Sequence, residues 1–182
     1  KSKITVTGAQ DYVAKLRRNF VMVQPQERQD KIDREMEKLS SNRNLKVNAD
    51  AGLLEMVTYL NEYPTAILGE FDPAYLELPE EVLITVMRGH QKYFALRDAR
   101  GKLAPHFLAI INMEKDVEGL VRAGHERVLR ARFADARFFW QSDQKCRLAD
   151  NLEKLKVVTF QVKLGTYFEK VERVRALAKW LA

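Results

Sequence analysis

Cysteine is almost missing from this 182-residue chain. Cys146 is the only one, so no disulfide can close within the sequence and no cysteine-rich zinc site can be built. That usage suits a reducing compartment. Serine is scarce too: Ser2, Ser40, Ser41 and Ser142 are all there are, and none sits in a G-x-S-x-G elbow, which argues against a serine hydrolase. The eight glycines are scattered, and neither a G-x-x-x-x-G-K-[ST] phosphate loop nor a G-x-G-x-x-G turn occurs. His90, His106 and His125 are spaced unlike any H-x-x-x-H metal pair and read as structural or solvated. No apolar run approaches the ~20 residues needed to span a bilayer, and no basic-then-apolar leader opens the chain.

What is present is an ordinary globular balance, 46% hydrophobic and 31% charged, with a length that suits one large domain or two small ones. The formal net charge is +6, but its distribution matters more. It is +3 over residues 1–60, −4 over 61–120 and +7 over 121–182, so a polyanion would dock on the C-terminal third. The sequence begins Lys1-Ser2-Lys3 without methionine, and its last helical pattern reaches Ala182 without a Gly, Asn or Pro stop. Both ends read as cuts, and the chain as a fragment.

Periodicity divides the chain. Ile4–Thr7 and Val21–Val23 read as short strands around a helix from Ala9 to Phe20. A charged helix opens at Pro25, with Ile32, Met36 and Leu39 on its narrow apolar face. Leu45–Val47 is a strand, Asp50 an N-cap for a helix through Leu60, and Ala66–Phe71 a strand. Pro79-Glu80-Glu81 opens a further helix, and Lys92–Leu96 with Leu103–Ile111 predicts a hairpin across Gly101. From Val121 onward the period is helical throughout. Leu129, Phe133, Ala136 and Trp140 form one stripe, and Leu148, Leu152, Leu155 and Val162 another. Gly165 breaks the pattern, and Thr166 to Glu169 has the form of a capping box for a last helix. The expected class is α+β, with a mixed α/β domain over 1–115 and an all-helical segment over 116–182.

Two clusters carry chemistry. Arg122, Arg127, Arg130, Arg132 and Arg137 fall on the first C-terminal helix against only Glu126 and Asp135, and the guanidinium fork suits phosphate. Arg88, His90, Lys92 and Tyr93 combine donors with an aromatic face at a helix-to-strand junction, where a nucleotide could stack. Phe94 next to them reads as core. These nine residues form the candidate nucleic-acid surface; no catalytic or metal-binding residue is assigned. Cys146, flanked by Lys145 and Arg147, reads as a free structural thiol.

Four blocks carry a resemblance: Leu78 to Phe94, Gly101 to Phe107, Glu126 to Trp140, and Lys163 to Thr166 with Lys170 to Arg173. In order and spacing they resemble the β subunit of bacterial heterotetrameric glycyl-tRNA synthetase, and the likeness runs over essentially the whole chain. The resemblance implies an α2β2 cytoplasmic ligase that joins glycine to tRNA(Gly) using ATP and Mg. The adenylate-forming site would belong to the α subunit, so this fragment would hold no cofactor. Its partners would be the α subunit and tRNA(Gly), with neither membrane nor DNA. The α/β part would be similar to the B3/B4 editing module of phenylalanyl-tRNA synthetase, and the helices would lead into an HD-like region. No His-Asp pair is present there to carry phosphohydrolase chemistry.

The reading that follows is a non-catalytic segment that contacts tRNA and scaffolds the β subunit. Its rival is an editing hydrolase acting on mischarged tRNA, resting on fold analogy alone. A third reading is a pure subunit-interface scaffold, with Tyr167, Phe168 and Trp180 at the interface.

Overall fold

The computed structural model describes residues 3–182; the opening Lys1-Ser2 lies outside them. The chain divides into two compact units, one running to Arg137 and the other spanning Phe138–Ala182.

The first unit is built on four antiparallel strands: β1 (Lys46–Val47), β2 (Pro64–Glu70), β3 (Phe94–Arg97) and β4 (Leu103–Asn112). Their order is β1-β3-β4-β2, so β1 and β2 form the edges. Alternation along the strands sends side chains to both faces, and both are covered. Helices α2 (Pro25–Ser41) and α3 (Ala51–Leu60) lay Ile32, Met36, Leu53 and Val57 over Ala66, Phe94, Leu96 and Leu108. On the opposite face Leu83 and Met87 of α4 (Glu80–Val86) and its extension meet Ile67, Tyr93, Ala95 and Phe107. Leu129 and Phe133, from α5 (Leu120–Asp143), close that core. This is the α+β class expected from the sequence.

Local chemistry sets the element ends. Asp50 caps α3, accepting from Leu53 N at 2.8 Å, and Pro25 sits in the first turn of α2. The hairpin turns at Gly101 (φ +78°), where Asp98 accepts from the N–H of Arg100 (2.8 Å) and Lys102 (3.0 Å). Gly69 has no room for a side chain, because a Cβ would stand 2.6 Å from Phe107 Cε1.

The outer edge of β2 is guarded. Phe71 N bonds Pro105 O, which fixes the phase and turns the N–H groups of Ala66, Leu68 and Glu70 away from β4. Glu35 Oε2 takes Ala66 N at 2.8 Å, and Glu126 Oε1 takes Glu70 N at 3.1 Å. Carboxylates on exposed edge amides discourage a further strand from pairing there.

Three expectations fail. Residues 4–7 and 21–23 are not strands: neither has a ladder partner among the described residues, and 21–23 is held instead by Met22 N on Glu62 O (2.8 Å) and by Arg28 Nη1, which donates to Met22 O (2.5 Å) and Val23 O (3.0 Å). Between them, α1 (Ala9–Arg18) stops before Phe20, which takes φ +61°. The third failure is in the second unit. Leu148–Asn151 and Glu153–Val157 are 3₁₀ turns, followed by a small hairpin of β5 (Thr159–Gln161) and β6 (Gly165–Thr166). Leu148 and Val162, expected in an apolar stripe, are 89% and 91% exposed. The last helix, α6 (Tyr167–Leu181), starts as predicted: Gly165 has φ +83°, and Thr166 accepts from Glu169 N.

Candidate nucleic-acid interface

Helix α5 starts after Gly119 (φ +69°), where the Asp116 carboxylate accepts from Val121 N (3.2 Å) and Arg122 N (2.8 Å). Those backbone N–H bonds hold the Asp116 carboxyl below the usual carboxylate range. Leu129 and Phe133 are fully buried, with the Phe133 ring edge-on to Phe71 at 4.9 Å and tilted against Tyr75 at 5.3 Å. This anchoring fixes which way each arginine points.

Arg127, Arg130 and Arg132 are exposed and make no ion pair among the described residues. At about 100° per residue, Arg127 stands some 60° round the helix from Arg130, while Arg132 stands some 160° from it. The free charge is therefore spread round the solvent side of α5 rather than lined up on one ridge. Arg130 also lines a cavity of about 600 Å³ with Glu70, Asp72 and Glu126. Arg122 is exposed, with its Nε 4.0 Å from Glu126 Oε1. Arg137 is turned inward. Its Nη2 donates to Ala74 O at 2.9 Å, its guanidinium lies 4.3 Å over the Tyr75 ring, and its Nε sits 3.1 Å from Glu77 Oε1. It stitches α5 to the Pro73–Glu77 turn and has little left for a phosphate.

The second cluster is also split by the fold. Helix α4 continues as a π-helical turn, Met87–Gln91, which ends at Lys92 in the left-handed conformation (φ +59°). Arg88 Nε donates to Asp50 Oδ2 at 2.5 Å, a pairing that holds the Asp50 carboxyl low. His90 is exposed, and Lys92 Nζ donates to Gly89 O at 2.7 Å. Tyr93 corrects the stacking expectation. It is 2% exposed, its ring lies against Phe107 at 4.5 Å, and its hydroxyl meets His125 Nδ1 at 2.5 Å, so no aromatic face is left for a base. Burial pushes the Tyr93 phenol up to about 12 and pulls His125 down.

The structure adds Arg43, which lines a cavity of about 570 Å³ with Lys115 and Arg122. Nothing in Asn42-Arg43-Asn44 signals this, because the pairing depends on a residue 79 positions away.

A sequence model of the family described as glycyl-tRNA synthetase beta subunit matches residues 1–182. A glycine–tRNA ligase beta subunit from Phenylobacterium zucineum is 50% identical over 179 residues, covering 97% of this chain and 27% of that protein. Those from Syntrophus aciditrophicus and Streptococcus suis are 48% and 45% identical over 177 residues, covering 97% of this chain and 26% of each. The chain thus spans about a quarter of the length of these relatives. On the family match and these identities, the chain belongs to the glycyl-tRNA synthetase beta-subunit family.

Proposed function

We propose that this chain is a non-catalytic, tRNA-binding and scaffolding segment of the beta subunit of a cytoplasmic glycine–tRNA ligase. In the whole enzyme it supports ATP-dependent glycylation of tRNA(Gly), with ATP and Mg handled by an α subunit. The observation that carries the reading is the set of three exposed guanidinium groups without an ion pair among the described residues, Arg127, Arg130 and Arg132, on the solvent side of a helix anchored by Leu129 and Phe133. Arg43, Lys115 and Arg122 line a cavity on the same unit together with Asp116 and Glu118, a smaller excess of positive charge. The planar guanidinium fork meets phosphate oxygens bidentately and loses less freedom per hydrogen bond than a lysine would. Exposed His90, with Arg88 and Lys92 beside it, forms a smaller secondary contact.

The test is binding of tRNA(Gly) by fluorescence anisotropy between 50 and 200 mM salt. Replacing Arg127, Arg130 and Arg132 together with glutamate is expected to weaken binding and flatten the salt slope by about 2 to 3, at 0.7–0.9 per lost phosphate contact. Unchanged affinity and slope would overturn the reading.

A further inference from the structure

The opposite side of the first unit holds a cleft of different character. Helices α2 and α3 diverge above the sheet and leave a cavity of about 630 Å³, in the size range of small-molecule sites. Its floor is apolar: Met36, Leu45, Val47, Leu54 and Phe94, continuous with the core cluster under α2 and α3. Its rim is acidic. Asp33 and Glu37 stand one turn apart on α2, and neither carboxylate has a hydrogen-bond or ion-pair partner among the described residues. Asp50, also on the rim, is already neutralised by Arg88 and by its bond to Leu53 N. Lys46 is the one cation lining the cavity, so two unpaired carboxylates face a single ammonium.

We propose that this cleft binds a small organic ammonium: a primary amine carried on an apolar body, with the body on the Met36–Phe94 floor and the amine between Asp33 and Glu37. Three observations converge on that chemistry. The floor removes apolar surface from water, which rewards a hydrocarbon body. The lining carries Asp33, Glu37 and the Arg88-paired Asp50 against Lys46 alone, and a cationic headgroup complements that excess, although Asp33 also borders a second cavity with Arg17 and Arg34. The Asp33 carboxyl is held above its usual value by partial burial and by the Asp30 charge beside it, a cost that a bound ammonium relieves. A phosphate would be repelled, so the cleft is separate from the proposed tRNA surface and stands or falls independently of it.

The test uses 2-phenylethylamine as probe, with 2-phenylethanol and 3-phenylpropionate as neutral and anionic counterparts of similar shape. Amide chemical shifts of Leu45, Val47, Ala49 and Ala51 are followed during titration of the whole chain. The amine is expected to shift these amides saturably, the alcohol to bind more weakly and the carboxylate not at all. Asp33 and Glu37 are exposed helix positions, so Asp33→Asn and Glu37→Gln leave the fold intact. Each is expected to weaken the amine about two- to five-fold, the range of a single solvent-exposed ion pair, and to leave the alcohol unaffected. Equal binding of amine and alcohol, insensitivity to both substitutions, or no saturable shift at these amides would each overturn the proposal.

Discussion

The Tyr93 hydroxyl and His125 Nδ1 lie 2.5 Å apart, and the tautomer of the imidazole sets which of them donates. Burial lifts the phenol to about 12 and lowers the imidazole, so the bond joins two neutral groups. The arrangement expected is Tyr93 donating to Nδ1, with the His125 ring proton on Nε2. This bond ties the residue just before β3 to α5, the helix that carries the arginines.

Tyr93→Phe removes the donor and leaves a buried imidazole nitrogen without a partner. The expected loss is about 1–3 kcal/mol of folding stability, measured by urea unfolding. Nitrogen shifts of His125 would report the Nε2–H tautomer in the parent chain.

Acidification should destabilise the fold before the lowered carboxyls respond. Burial sets both His106 and His125 below the usual imidazole value; Arg43 lowers His106 further, while Glu70 opposes that shift and Asp116 opposes the one at His125. As pH falls below about 6.5 the unfolded chain takes up these protons first, so unfolding gains. Stability is flat above that point and is lost on the way down toward the folded values. The urea midpoint is expected to be lower at pH 5.5 than at pH 7.5. The lowered carboxyls of Asp50 and Asp116 act only below the ordinary carboxylate range, outside this window.

Arg137→Ala should separate structure from binding. It removes the bond to Ala74 O and the contact over Tyr75, costing about 1–3 kcal/mol. The salt slope for tRNA(Gly) is expected to stay near that of the parent, unlike the change at Arg127, Arg130 and Arg132. A flattened slope in this variant would place Arg137 on the RNA after all.

Gly69→Ala forces a methyl group against the Phe107 ring, which is fully buried and cannot yield. Overpacking of this kind costs about 1–3 kcal/mol. A lowered thermal midpoint checks it.

The four strands were legible as short runs bounded by turn residues, and so was the β3–β4 hairpin; the β1-β3-β4-β2 order of the sheet was not. β2, β4 and the hairpin at Gly101 fall within a residue or two of the expected limits. Ile4–Thr7 has the same local signature but pairs with no strand among the described residues, and only the tertiary structure reveals that. Leu148 to Val162 has helical spacing, yet Leu148 and Val162 stand exposed among the described residues, and spacing does not hold a helix without a surface to bury it. At the candidate site, Leu129 and Phe133 were legible as the anchored stripe of α5, and with them the outward arginines. The fates of Arg137 and Arg88 were not. Their partners, Ala74 and Asp50, lie 63 and 38 residues away, and no local pattern encodes such pairings.

The plugs on the β2 edge arrive at different times. Glu35 precedes the strand, but Glu126 is 56 residues beyond Glu70. At about 5–20 residues per second, a ribosome needs roughly 3 to 11 seconds to supply it. For that interval the nascent sheet has one shoulder bare, and β4, needed to hold β2 from the other side, is complete only at Asn112, three quarters of the way through it. The half-made sheet is then most open to sticking to a neighbour, and a holdase that shields it would act in those seconds.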